Sequence, residues 1–284
     1  MISFAIRNLK VFFKDKTSVF FSLLAVFIII GLYALFLGDV WTNSFNYISG
    51  VRFLMDSWIM AGLLAVTTVT TAMGAFGIMV QDKERKIIKD FAASPVRKRD
   101  IAGGYILGAL IVSIIMSLIT LILAEIYIIS NGGSLMYLSA FLKTLGLILL
   151  CALCNTSMIF FIVSFFNSSN AFATASTILG TLIGFITGIY IPIGSLPSGV
   201  QWVVKCFPVS HGAVLFRQVM MALPISKSFA GAPDEVINEF SESLGITFKF
   251  GDTTVSPLTS ILILLASSVI FYILSVVNLS RKEK

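Results

Sequence analysis

Six stretches of this chain are long and apolar enough to cross a lipid bilayer, and no other feature restricts the fold as much. A crossing needs about 20 predominantly apolar residues for about 30 Å of hydrocarbon. The stretches cover residues 19–37, 57–80, 101–129, 141–166, 171–191 and 258–279. No water satisfies a backbone N–H or C=O inside lipid, so each stretch is expected to be a helix. Composition agrees, because 57% of the 284 residues are hydrophobic and 12% are charged, about half the charge of an ordinary soluble domain. Too little polar surface is left for a soluble enzyme, a disordered tail or a disulfide-stapled secreted module. The expectation is an all-α membrane protein whose residues 1–284 form a single transmembrane domain.

Lysine and arginine placement orients the spans. Of the 20 such residues, Arg7, Lys10, Lys14 and Lys16, the seven from Lys83 to Arg99, and Arg281, Lys282 and Lys284 fall on one side. Arg52, Lys143, Lys205, Arg217, Lys227 and Lys249 fall on the other. The richer side is expected to be cytoplasmic, which puts both termini and residues 81–100 inside. The net charge of +6 then records orientation and is not a nucleic-acid signature. Trp41, Trp58 and Trp202 all fall near the outer interface, as an aromatic belt would have them. The first stretch follows 18 residues and lacks a small-residue cleavage site, so it is expected to stay as an anchor. Low cysteine usage suits a bacterial plasma membrane.

Between the spans, residues 2–16 alternate Ile6, Leu9 and Phe13 with Arg7, Lys10 and Lys14 at helical spacing, which predicts a helix lying in the inner interface or a basic flank. In residues 81–100, Ile87, Ile88 and Phe91 form an apolar stripe. Asp82 with Lys86, and Lys86 with Asp90, are opposite charges four apart. Ser94-Pro95 offers a cap and a first-turn proline for the next helix. Either a short amphipathic helix or a solvated hairpin fits these residues. Residues 192–257 start as apolar as a span, but Pro192, Pro197 and Pro208 cut them into pieces too short to cross. Short helices dipping into the outer leaflet are expected there. An amphipathic helix over 233–244, ended by Gly245, and a strand over 246–250 follow.

No catalytic set is visible. His211 has no partner cluster, and Cys151 and Cys154 lack a second ligand pair, so no metal site is expected. No GxxxxGK[ST] phosphate cradle occurs, so neither ATP nor another cofactor is assigned to this chain. Glu125 is an acid well inside a span, a functional candidate by default, and Lys143 is its candidate ion-pair partner. Ser176, Gly180, Gly184 and Gly188 recur every fourth residue, as Gly104 and Gly108 do. Such spacing allows close helix approach, either within one subunit or at a seam between subunits. Thr67, Thr68, Thr70 and Thr71 cluster at mid-depth in the second span. They either bond back to their own helix or, with Met73, Phe76, Thr181, Phe185 and Thr187, line a soft apolar passage for amphipathic cargo.

Over essentially its full length the chain resembles the permease subunit of type-two ABC exporters. The features are the helix before the first span, Asp82-Lys83-Glu84-Arg85 leading to Ser94-Pro95-Val96, and the broken segment with Ile191-Pro192, Leu196-Pro197, Trp202, Pro208 and Arg217. The resemblance implies that Asp82, Lys83, Glu84, Arg85, Ile87, Ile88 and Phe91 form a coupling helix docking on a separate ATPase subunit, which would hold ATP and Mg. It implies re-entrant helices gating the outside at Pro192, Pro197 and Pro208, and a route lined by the second and fifth spans. Two permease subunits would pair with two ATPases and export drugs, peptides or lipids by alternating access. The acidic insert over 233–252 departs from a minimal member. A membrane sensor or immunity protein that binds an outside ligand without transport is the contrasting expectation.

Overall fold

Helix α1 (Ile2–Lys14) ends where Asp15 turns the chain and caps α2 (Lys16–Leu32). The Asp15 carboxylate accepts from the Ser18 hydroxyl at 2.6 Å and from the backbone N–H of Ser18 and Thr17. Those bonds, the Ser18 hydroxyl foremost, hold Asp15 below its ordinary pKa. Helix α2 runs through a π-helical turn, Tyr33–Leu37, into α3 (Gly38–Ser44). After Gly50, whose φ of +68° glycine tolerates without strain, come α4 (Val51–Glu84), α5 (Ile87–Ala93), α6 (Lys98–Ser130), α7 (Leu138–Val163) and α8 (Ser169–Ile186). A 3-10 turn, Ile193–Ser195, then leads to α9 (Ser198–Cys206), α10 (Pro208–Met220), α11 (Ala222–Ser228) and α12 (Asp234–Ser243). Strands β1 (Lys249–Phe250) and β2 (Thr253–Thr254) pair antiparallel before α13 (Pro257–Lys282). The computed structural model describes residues 1–45, 48–93, 96–251 and 253–282.

Six of these helices, α2, α4, α6, α7, α8 and α13, are long and apolar enough to cross a membrane. Contacts between their ends sort the bundle. Arg7 reaches Asp82, Glu84 reaches Ser169, and Asn278 reaches Ser164, so both chain ends lie at one end of the bundle. At the other end Arg52 meets Tyr127 and Asn131, and Lys227 meets Ser134.

Helix α4 occupies the middle, packed by α2, α6, α7, α8 and α10. Its small residues explain the position. A Cβ at Gly74 would sit 3.0 Å from the Ser22 hydroxyl of α2, and one at Gly62 3.2 Å from Arg217 of α10. Where residues are small, backbones approach closely and gain contact that lipid cannot supply. The apolar stretch predicted 57–80, but the helix runs from 51 to 84, because Arg52, Asp56 and Asp82 beyond the stretch find partners inside the protein.

The fifth span is shorter than residues 171–191. It stops at Ile186, and Gly188 turns the chain at φ +69°. Tyr190 then folds back, its ring edge-on to Phe185 at 5.2 Å. The three prolines act as expected from their missing N–H: Pro192 precedes the 3-10 turn, Pro197 precedes α9, and Pro208 opens α10. Helix α10 packs into the bundle against α4, α7 and α13. Gly245 ends the cap helix at φ +65°, as its sequence position suggested.

Candidate functional site

At the end of the bundle that carries the termini, the segment from Asp82 to Phe91 is not one amphipathic helix. Lys86 has φ +61°, a left-handed conformation that interrupts a helix. The pairs Asp82–Lys86 and Lys86–Asp90 therefore do not form as successive helical turns. Asp82 is instead buried and closes a three-way contact. Arg7 Nη1 donates to its Oδ2 at 2.5 Å, Arg7 Nη2 to its Oδ1 at 3.2 Å, and the Tyr105 hydroxyl to its Oδ2 at 2.6 Å. The Asp82 hydrogen bond holds Arg7 above its ordinary pKa. The Arg7 guanidinium also lies over the rings of Phe4 and Phe91, and those rings meet edge-on at 4.9 Å. Helix α1 is thus fastened to α4, α5 and α6 together. Gly104 and Gly108 are its seat, since a Cβ at Gly104 would lie 2.7 Å from Phe4 and one at Gly108 3.1 Å from Asn8.

The remaining coupling candidates divide by exposure. Ile88 and Phe91 pack on the core, Lys83 and Ile87 are half-buried, and Glu84 and Arg85 face outward. Glu84 has a second attachment: its carboxylate accepts from the Ser169 N–H at 3.2 Å and from the Ser169 hydroxyl, and so caps the start of α8. The carboxylate satisfies an N–H that the first turn leaves unpaired. The cap proposed at Ser94-Pro95 lies outside the described residues.

The passage candidates do not share a wall within the chain. Thr67 and Thr71 are fully buried and return their hydroxyls to Leu63 O and Thr67 O at 2.8 and 2.6 Å. Met73 is buried too, and Phe76 stacks on Phe160 at 5.7 Å. Thr181 and Phe185 lie on the opposite, open side of α8, with Phe185 42% exposed. Thr187 is buried and bonds back to Ile183 O at 2.8 Å. The small-residue stripe also splits. A Cβ at Gly180 would meet nothing within 4 Å, and Ser176, half-buried, bonds back to Phe172 O at 2.8 Å. The ring of Tyr190 occupies the place of a side chain at Gly184, and Gly188 serves the turn.

The opposite end of the bundle holds contacts that the sequence pattern did not pair. Arg52 pairs with Asp39 at 2.9 Å and with Asp56 at 3.3 Å, and donates to the Tyr127 hydroxyl and Asn131 Oδ1. It joins α3, α4 and α6. Arg217 is fully buried, its guanidinium 4.8 Å from the Trp58 ring centroid and 3.4 Å from Gly245 O. Trp58 itself is buried and donates to Leu244 O at 2.8 Å, so it is a core residue and not part of an aromatic belt. Burial took it there because α12 and its terminator cover this end of α4. Trp202 remains 63% exposed, and the Trp41 side chain lies outside the described residues. Glu125 and Lys143 form no ion pair. Glu125 accepts from the Met136 N–H at 3.2 Å instead. His211 bridges Ser260 of α13 and Lys205 O at 3.0 and 2.9 Å. Cys151 packs against Gly212, and no cluster of three metal-ligating side chains occurs among the described residues.

A sequence model of the ABC-2 type transporter family matches residues 2–221, from α1 through the last turn of α10. No curated protein matches the chain.

Proposed function

The chain belongs to the ABC-2 type transporter family as a membrane-spanning permease subunit, and on that premise we propose that it exports amphipathic or hydrophobic cargo, a drug, peptide or lipid, from a bacterial cell. Both termini and the segment 82–91 face the cytoplasm. Two copies of a separate ATPase subunit, which bind ATP and Mg, dock there. A second permease subunit, identical or related, completes the path, and this chain holds no cofactor of its own.

The observation that carries the reading is the double attachment at the end of α4. Asp82 fastens the interfacial helix and Glu84, two residues later, holds the start of α8. Arg85, Lys83, Ile87, Ile88 and Phe91 continue directly from that point. A push on α5 is delivered both to α4 and, through Glu84, to α8. In the present arrangement Thr67, Thr71, Met73 and Phe76 lie inside the packed bundle. They join Thr181, Phe185 and Thr187 on a common wall when α8 swings off α4. Ser176 and Gly180 face the second subunit, while Pro192, Pro197 and Pro208 set the broken segment that gates the far side.

Co-expression with a candidate ABC ATPase subunit, purification of the complex and ATP-dependent uptake into inverted vesicles is the direct test. The double variant E84A/R85A is expected to keep the complex and ATP hydrolysis but to lose cargo-stimulated hydrolysis and transport. Unchanged transport in that variant, or no complex with any ATPase, overturns the reading.

A further inference from the structure

A cavity of about 610 Å³ opens at the end of the bundle away from the termini, among the outer ends of α4, α6, α7 and α13 and the helices α10 and α11. Its volume falls within the range of about 300–1,000 Å³ typical of small-molecule sites. The walls are largely apolar, with Phe53, Ile128, Leu147, Leu150, Leu215 and Met220 among them. No residue of α8 lines it, so it is separate from the route proposed above.

Seven polar side chains interrupt the apolar lining, and two of them, Glu125 and Lys143, are charged and unpaired among the described residues. Glu125 uses one carboxylate oxygen on the Met136 N–H and pairs with no cation among the described residues. Lys143 forms neither a hydrogen bond nor an ion pair among the described residues. Gln218 spends its Nε2 on Ile246 O at 3.1 Å, and its buried Oε1 has no partner. Ser57 adds a hydroxyl. Lys143 is exposed at the rim and Glu125 is half-buried deeper in, so the two opposite charges stand apart along an otherwise largely apolar opening, free to take a dipolar ligand. Water solvates the polar groups but gains nothing along Ile128, Leu147, Leu150 and Leu215, where an acyl chain does.

We infer that this cavity binds an amphiphile carrying both an ammonium and a phosphate, an aminophospholipid of the leaflet opposite the termini. The ammonium donates to Glu125. The phosphate accepts from Lys143, and the upper acyl chains lie along Leu147, Leu150 and Ile128. Exposed Tyr137 stands at the opening. Binding needs no ATPase, so it can be measured on this chain alone and stands or falls apart from the transport reading.

The test is native mass spectrometry of the purified full chain in neutral detergent, with phosphatidylethanolamine, phosphatidylcholine or phosphatidylglycerol added. Phosphatidylcholine has a cation without N–H donors, and phosphatidylglycerol has no cation. Phosphatidylethanolamine is expected to bind about fivefold better than either, in keeping with one exposed-to-buried ion pair. E125Q is expected to erase that preference, and K143Q to weaken all three lipids. K249Q, in the distant hairpin, should change nothing. G146L provides a variant independent of charge, because Gly146 lines the cavity and a Cβ there meets nothing within 4 Å. It should fill the space without disturbing the fold and abolish retention of phosphatidylethanolamine. Free glycerophosphoethanolamine, which has the headgroup and no tails, should not compete at equal concentration. Equal binding of the three lipids, a preference that survives E125Q, full binding in G146L, or competition by the free headgroup each overturns the proposal.

Discussion

Thr67, Thr68 and Thr71 of α4 and Thr174, Thr177 and Thr181 of α8 all return their hydroxyls to a carbonyl three or four residues back. The first three are buried and the second three are exposed. Local chemistry is therefore the same in the two spans and says nothing about their surroundings. What separates them is the second interaction. Thr68 accepts from Asn155 Nδ2 of α7 at 2.7 Å, and its carbonyl accepts from the Ser113 hydroxyl of α6 at 2.9 Å. No threonine of α8 is bonded to another helix among the described residues. Thr68 thus ties α4 to α6 and α7 at mid-depth. Among the described residues α8 is tied to α4 by a side-chain hydroxyl only at its first residue, Ser169, which fits the proposed motion in which α8 swings off α4.

The comparison can be strained hardest where both helices meet at the terminus-bearing end. Arg7→Ala leaves Asp82 buried with Tyr105 as its remaining donor. Loss of one partner of a buried pair costs about 3–5 kcal/mol. Because Arg7 is 32% exposed, about 2–3 kcal/mol is expected here. The loss should appear as a lower SDS concentration at the unfolding midpoint. Thr68→Val removes the acceptor of Asn155 in the dry centre and should cost about 1–2 kcal/mol in the same assay. Thr181→Val in α8 should change it by less than about 0.5 kcal/mol. Equal losses for the two threonine variants would erase the distinction between frame and mobile span.

Gly180→Leu should be silent in that assay, because nothing surrounds the position within one chain. It is expected to lower cross-linking between Cys-substituted copies about twofold or more if α8 faces a second subunit, a range in keeping with a crowded small-residue contact. Unchanged cross-linking would place the seam elsewhere.

The sequence exposed the parts of the fold that rest on apolar length and on proline chemistry. All six spans, the amphipathic first helix and the broken segment follow from residue types counted along the chain. Partner choice across the bundle was not legible in this way. Asp82 sits four residues before Lys86, so its neighbour in sequence looked like its partner. Its true partners are Arg7, 75 residues away, and Tyr105, 23 residues away. Gly104 and Gly108 looked like a helix seam and are one, but the helix they admit is α1. Trp58 resembled a belt residue by depth alone, and only the packing of α10 and α12 over it explains its burial. One signal was available for Arg217: a lone arginine amid an apolar run, with Trp58 at the same predicted depth, is what a buried cation–π pair needs.

Helix α4 has 34 residues, which at 1.5 Å each makes a rod about 51 Å long. A hydrocarbon layer is about 30 Å thick, and helices tilt by up to about 40°. At that tilt the rod still reaches about 39 Å across, so both tips clear the hydrocarbon and stand at least in the headgroup region whatever its inclination. Labels near Val51 and near Glu84 would therefore sit on the same stiff object, outside the hydrocarbon on opposite sides. A distance between them that stays constant through turnover would identify α4 as a fixed mast, while distances from either label to α8 record how far the moving part travels.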